Sequence, residues 1–209
     1  MMVYLVVLLI AYLIGSISFS VIFSKKFAGI DVREKGSKNA GATNVLRTVG
    51  KKAAILTLIC DILKGVIAIL IAMIIGNILN VADKSLLIQI AGVSVIIGHT
   101  FPIFFGFKGG KGVATALGVL FMINWQIALI CLVFALIVII ITKMVSVGSI
   151  AATILFPVLT LFIYDNFIVD GNYFIFAVII ALIVAFNHRS NIKRIAEGTE
   201  NKLGSKKSK

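Results

Sequence analysis

Several kinds of side chain are nearly missing from this chain of 209 residues. It has two cysteines, two histidines, one tryptophan and eight acidic residues against 20 lysines and arginines. Cys60 and Cys131 both sit inside apolar runs, far from other metal-ligand types, so they read as small lipid- or core-facing residues. They form no disulfide framework and no zinc motif. His99 and His188 fall in separate segments, so no metal cluster is expected and no metal or other cofactor is called for. No Ser-His-Asp arrangement is legible, and the fifth residue after His99 is Phe104, not the Asp of the soluble and monotopic acyltransferase pattern. Lys111 is followed by Gly112 rather than Ser or Thr, so Gly109-Gly110-Lys111-Gly112 is not a Walker A loop. A β-α-β context for a dinucleotide fingerprint is missing too, which argues against nucleotide binding. No nucleic-acid partner is expected.

Apolar residues make up most of what is present. They account for 60% of the chain, and the mean hydropathy is +1.13. Ordinary globular chains run at about 45–50% apolar, so a polytopic membrane protein is expected, as one domain over 1–209 with a cytoplasmic carboxyl-terminal segment at 188–209. A span needs roughly 20 apolar residues. Candidates are 2–23, 53–79, 86–105, 112–123, 127–142, 147–164 and 173–187. The first lacks a basic leader and is longer than the usual signal core of about 7–15 residues, so it reads as a retained span. Asn124-Trp125-Gln126 splits 113–141 into two short spans. The alternative is that 112–123 is re-entrant, which requires protein or water to cover its backbone. The expected fold class is all-α, with seven short transmembrane helices.

The net charge of +12 is unevenly placed. Apart from Lys64 and Lys84, every Lys and Arg lies in 24–52, 108–111, at Lys143 or in 188–209. With seven spans these segments share one face, opposite Asp83, Lys84, Asp165 and Asp170. The positive-inside rule then puts the amino terminus outside and the carboxyl terminus in the cytoplasm.

Three polar segments on that face exceed what sidedness requires. The first, 33–50, is rich in Gly36, Ser37, Asn39, Gly41, Thr43 and Asn44. Its glycines let backbone N–H groups converge on an anion, and Arg47 adds a fork suited to phosphate. It also reads as a turn-rich loop with a helix cap. The second, GHTFPIFFGFKGGKGVAT over 98–115, carries Lys108, Gly109, Gly110 and Lys111 just before an apolar run. That places a glycine turn and a lysine at a helix start, where free N–H groups and the helix dipole favour an anion. His99 at its head is the side chain best able to take a proton at neutral pH, or it is simply an interfacial cap. The third, 187–204, carries His188, Asn191 and Glu200, and reads as well as a basic amphipathic tail on an anionic membrane. Asp61 and Lys64, at i and i+3 within the second span, are either functional or a structural pair. A transporter for a phosphorylated metabolite is the rival reading. Against it, the polar segments share one face and no inverted repeat is visible.

Four stretches together carry a family resemblance: GSISFSVIFSK at 15–25, GSKNAGATNVLRTVGKKAA at 36–54, GHTFPIFFGFKGGKGVATALG at 98–118 and HRSNIKRIAEGTENKLG at 188–204. They resemble the bacterial membrane glycerol-3-phosphate acyltransferases that use acyl phosphate (the PlsY family), over essentially the whole chain. Two small departures are Lys38, where glycine is expected, and Ser18, where proline is frequent. The resemblance implies acyl transfer from acyl phosphate to glycerol 3-phosphate, yielding 1-acyl-glycerol 3-phosphate and phosphate, the first step of phospholipid synthesis in the bacterial plasma membrane. It implies that neither acyl-CoA nor acyl carrier protein is the direct donor, and that a phosphate acyltransferase supplies the acyl phosphate. Both substrates carry phosphate, so two neighbouring anion sites at the membrane surface are expected. The 36–44 nest with Arg47 would hold one, and Lys111 with Gly109-Gly110 the other. Asn191 and His188 would position glycerol phosphate, Glu200 would anchor the tail, and His99 would orient the cluster or act as base unless a substrate phosphate oxygen does.

Overall fold

The computed structural model describes residues 1–163 and 172–204. Among the described residues every regular element is helical. Ten α-helices occur: α1 (Met2–Gly15), α2 (Phe19–Ala28), α3 (Ala42–Thr48), α4 (Lys51–Ile78), α5 (Lys84–Thr100), α6 (Val113–Ile123), α7 (Trp125–Thr142), α8 (Val145–Leu159), α9 (Tyr173–Asn187) and α10 (Arg189–Ala196). The outer faces are oily. Ile55, Leu63 and Ile74 on α4 and Ile137, Ile140 and Ile141 on α7 are all exposed. Water would not tolerate so large an apolar surface, whereas lipid matches it. The chain is an integral membrane protein.

Seven spans are expected, and among the described residues four helical stretches meet the length for one, or five with a bent pair. By length and apolarity, Met2–Ala28, Lys51–Ile78, Lys84–Phe105 and Trp125–Thr142 can each cross a membrane. Helices α9 and α10, bent by 60° at His188, make a fifth candidate taken together, while α6 and α8 are shorter apolar helices. The expected 2–23 span is not continuous. Helix α1 stops at Gly15 and α2 starts at Phe19. Lys64 offsets the carbonyls freed there, with Nζ donating to Gly15 O and Ile17 O (3.0 Å each). Helix α7 begins at Trp125, earlier than expected, because the Asn124 side chain caps it by accepting from Ile127 N (2.9 Å). Helix α8 ends at Leu159. The expected end of that span at 164, together with Asp165 and Asp170, lies outside the described residues, as do the last lysines, 206, 207 and 209.

Hydrophobicity gives helices in lipid little reason to associate, so close backbone packing must do so. Two reciprocal glycine contacts supply it. A methyl group on Gly15 of α1 would collide with Val95 O of α5, and one on Gly98 of α5 with Tyr12 O of α1. Likewise Gly65 of α4 faces Thr115 O of α6, and Gly118 of α6 faces Ile62 O of α4. These crossings bring the carboxyl end of α5 and the amino end of α6 to the broken α1 and the middle of α4. The polar segments meet at that end. Arg33 Nη1 donates to Phe105 O (2.6 Å), Asn187 Nδ2 to Thr100 Oγ1 (3.1 Å) and Leu203 N to Lys143 O (2.7 Å). At the other end, Tyr4 Oη donates to Asp83 O (3.2 Å).

Gly98→Val and Gly118→Val should each lower the melting temperature in detergent by several degrees, since overpacking costs about 1–3 kcal/mol. Gly76→Val, where the nearest atoms are the flexible Leu87 and Lys84 side chains, should shift it less. Equal shifts in a thermal melt would remove the close-approach account.

Candidate active site

The second polar segment folds back on the helix that precedes it. After α5 the chain turns through Pro102 and a short 3-10 turn, Ile103–Phe105, then through left-handed Gly106 (φ 65°) and Phe107 (φ 59°). It returns so that Gly109 N donates to Thr100 O and Gly110 N to His99 O, both at 3.0 Å. The approach is too close for a side chain. A methyl group on Gly109 would strike His99 O and Thr100 O, and one on Gly110 would strike His99 Nε2 and Ala40 O. The glycine pair thus lets the loop lie on His99 while the first segment closes over it. Gly112 (φ 86°) then sets the start of α6. Lys111 stands between.

Lys111 is the meeting point with the third segment. Its Nζ donates to Asn191 Oδ1. Asn191 Nδ2 donates in turn to Glu200 Oε1 (2.8 Å). Glu200 also accepts from Ser146 Oγ (2.9 Å) and from Arg194 Nε (2.8 Å). One carboxylate therefore joins the tail, α10 and the start of α8. Arg47 reaches the same place from the first segment, with Nη2 donating to Asn201 O (3.4 Å). Burial raises the Glu200 carboxyl, but the hydrogen bonds from Asn191, Ser146 and Arg194 outweigh it and hold the group below its usual range. Lys111 is brought down to about 8, first by burial and then by Arg194 and Arg47, with Glu200 opposing. Three cations thus surround one carboxylate, a balance that a phosphate group would complete. His188, at the bend between α9 and α10, turns Nδ1 to Val184 O (2.8 Å).

His99 faces the other way, into the bundle. Its Nδ1 lies 3.5 Å from Asp61 Oδ1, and Asp61 Oδ1 lies 3.0 Å from Lys64 Nζ. All three side chains are buried.

The first segment spends part of its chemistry on itself. Asn44 is buried, its Nδ2 donates to Val32 O, Lys35 O and Asn39 O, and its Oδ1 accepts from Ser37 N. It braces the loop, with no polar atom turned outward. Gly36 (φ 59°) leaves no room for a side chain against Asn44 Oδ1. Lys38 holds φ 59°, the left-handed backbone that explains why glycine is expected there. Ser37, Asn39, Gly41 and Thr43 lie on the remaining rim. Lys108 is exposed and lines a separate hollow with Asp31, Arg33 and Glu34.

An apolar cavity of about 90 Å³ starts two residues beyond Lys111, lined by Val113, Leu117, Leu120, Cys131, Phe156 and Val184 among others. Sequence reasoning missed Ser146, Arg194 and Arg33 as members of this assembly. Ser146 gave no local signal. Arg33, paired with Asp31 (2.7 Å), looked like ordinary cytoplasmic charge, yet it ties the first loop to the second. Asp61 was visible as an intramembrane acid, but its contact with His99 was not.

The glycerol-3-phosphate acyltransferase family model matches residues 5–198. The glycerol-3-phosphate acyltransferase of Clostridioides difficile (strain 630) is 43% identical over 204 residues, covering 98% of this chain and 97% of that one. That of Thermoanaerobacter sp. (strain X514) is 46% identical over 198 residues, covering 95% and 94%. The fold is similar to crystal structures of PlsY (YgiH), an integral membrane glycerol 3-phosphate acyltransferase, at 40% identity. The TM-score is 0.85 for its glycerol 3-phosphate form and 0.83 for its lysophosphatidic acid form, and 96% of this chain is covered in each. The chain belongs to the glycerol-3-phosphate acyltransferase family of integral membrane enzymes.

Proposed function

We propose that this enzyme takes its acyl group from acyl phosphate and delivers it to the sn-1 hydroxyl of glycerol 3-phosphate. The products are 1-acyl-glycerol 3-phosphate and inorganic phosphate, at the cytoplasmic face of the bacterial plasma membrane. The observation that carries the reading is the cation cluster of Arg47, Lys111 and Arg194 around Glu200, together with an apolar cavity lined by α6, the helix that starts just after Lys111. A phosphate head and a fatty tail call for that pairing. The relatives named above support the acceptor and the product. Acyl phosphate needs no covalent nucleophile from the protein, because its phosphate already leaves readily. A phosphate acyltransferase supplies this donor, and acyl-CoA and acyl carrier protein do not serve directly.

Lys111 and Asn191 hold one phosphate, carried there by the Gly109-Gly110 turn, whose own N–H groups are spent on Thr100 O and His99 O. Arg47 and the rim of the 36–44 loop hold the other, with His188 beside the glycerol moiety. The acyl chain lies along Val113, Leu117 and Leu120. The acceptor hydroxyl attacks the acyl carbonyl, the carbonyl–oxygen bond to phosphate breaks, and phosphate carries away the bonding pair. His99 orients the loop, its Nε2 packed against Gly110, and a substrate phosphate oxygen takes the hydroxyl proton. Alignment of the two substrates contributes about 7–11 kcal/mol, and each preorganised donor to the developing oxyanion about 3–4 kcal/mol. Seven passes, with α6 and α8 as short ones, put the amino terminus outside and all three polar segments in the cytoplasm.

Radiolabelled glycerol phosphate with purified enzyme should yield a lipid-extractable product with acyl phosphate and none with acyl-CoA or acyl carrier protein thioester. Product from a thioester would overturn the donor. Lys111→Ala should weaken phosphate-substrate affinity roughly 10–150-fold, the loss of one charged hydrogen bond of about 1.5–3 kcal/mol. Lys111 binds anions only when protonated, so kcat/KM should fall as pH rises past about 8. Lys111→Arg should move that fall upward, and an unmoved profile would assign it to another group. His99→Gln should leave turnover at saturating substrates near normal, and a fall in kcat of about 10²–10⁴-fold would make the ring the base instead. A reporter fused after Lys209 should be cytoplasmic, and an external one would reverse the topology.

A further inference from the structure

The apolar cavity between α6, α7, α8 and α9 ends in aromatic rings. Ser146 at the start of α8 bonds Glu200, and Lys111 immediately precedes α6, so both helices begin at the polar end. Along α8 the lining residues Ser149, Ala152 and Phe156 stand at successive turns away from that end. Phe156 is the deepest of them. On α6 the lining runs from Val113 to Leu120, a depth of about 10 Å at the helical rise. Behind Phe156 the bundle is filled. Its ring meets those of Tyr173 (centroids 6.0 Å) and Phe176 (6.4 Å) edge-on, and these two stack on each other at 5.9 Å. All three are buried. A methyl group on Gly92 of α5 would press on the Phe176 ring, so the trio is held from that side as well. The walls are equally fixed. A methyl group on Gly148 would strike Ala135 O, so α8 lies tight against α7. The Ser149 and Thr153 hydroxyls donate to Val145 O (2.9 Å) and Ser149 O (2.7 Å), within their own helix.

We propose that Phe156, backed by Tyr173 and Phe176, is the floor that sets how long an acyl chain the enzyme accepts. The hydrophobic effect cannot choose a length here, because a tail arriving from lipid leaves no water behind. A rigid floor can. Methylenes that fit the slot add no strain. The first one to meet the rings must push packed side chains aside or bend the chain back. One methylene in a fitted apolar pocket is worth roughly 10–200-fold in kcat/KM. This inference rests on the acyl chain lying along Val113, Leu117 and Leu120, as proposed above.

The test uses donors of graded length. Full-length enzyme in detergent is given acyl phosphates of about 10 to 18 carbons with radiolabelled glycerol 3-phosphate, and kcat/KM is read for each. The wild type should show a maximum, with a fall of about tenfold or more just above it. Phe156→Leu should move the maximum to longer chains. Ala152→Leu, which fills the slot one turn nearer the polar end, should move it to shorter ones. If neither variant moves the maximum, or both lower every length alike, the tail does not reach Phe156 and the proposal fails. A flat wild-type profile overturns it too. Should Phe156→Leu fail to fold, Ala152→Leu still decides, since its side chain enters space already empty. If acyl phosphates give no product at any length while a thioester does, the donor reading fails, and the same length series run as thioesters decides the floor.

Discussion

Arg47, Lys111 and Arg194 come from three separate stretches of chain, and mutual repulsion would keep them apart without a carboxylate between them. Glu200 is that carboxylate. It accepts from Asn191, Ser146 and Arg194 and lies in the field of Lys111 and Arg47. Its position draws the tail over the opening of the bundle and fastens it to the start of α8. The charge balance follows. A second acid here would leave one positive charge for a substrate in place of two. With one acid the cluster stays positive, as a site for phosphate dianions must be.

The lipid setting explains why the glycines do two kinds of work. Inside the bundle, Gly15, Gly65, Gly98 and Gly118 let helices touch backbone to backbone, since apolar contact with lipid tails is as good as contact with another helix. At the surface, Gly109 and Gly110 let a loop lie on the end of α5. The two uses are continuous. Gly98, which locks α5 to α1, immediately precedes His99, whose carbonyl receives the Gly110 N–H. Packing strain at the crossing would be felt one residue later at the ring.

Local chemistry was legible in the sequence, and distant contacts were not. The membrane class, the helical class and the three polar segments follow from hydropathy and residue type. Gly109-Gly110-Lys111-Gly112 read as an anion turn, and the loop does place Lys111 among polar partners. Its glycines, however, are dictated by close approach to His99 and Ala40, and the N–H groups of Gly109 and Gly110 that the anion reading needed free are bonded to Thr100 O and His99 O. Asn44 read as a phosphate donor, but four backbone groups occupy its amide. An amide among glycines looks the same in sequence whether it faces a ligand or its own loop. The break in the first span was invisible because its cause, Lys64, lies 47 residues beyond Ile17. Ser146 carried no mark at all, since its role exists only once Glu200 arrives from 54 residues away.

The buried ions show the same dependence of the site on the frame. An unpaired lysine in the bilayer is costly and ordinarily tolerated only where carbonyls or acids surround it. The break in α1 supplies those carbonyls, and Asp61 supplies the acid. Removing the break would strand Lys64, and removing Lys64 would strand the carbonyls. The kink and the ion pair therefore stand or fall together. His99 lies beside them, its Nδ1 3.5 Å from the Asp61 Oδ1 that has no hydrogen-bond partner among the described residues, so the end of α5 that leads into the second polar segment abuts the same buried acid.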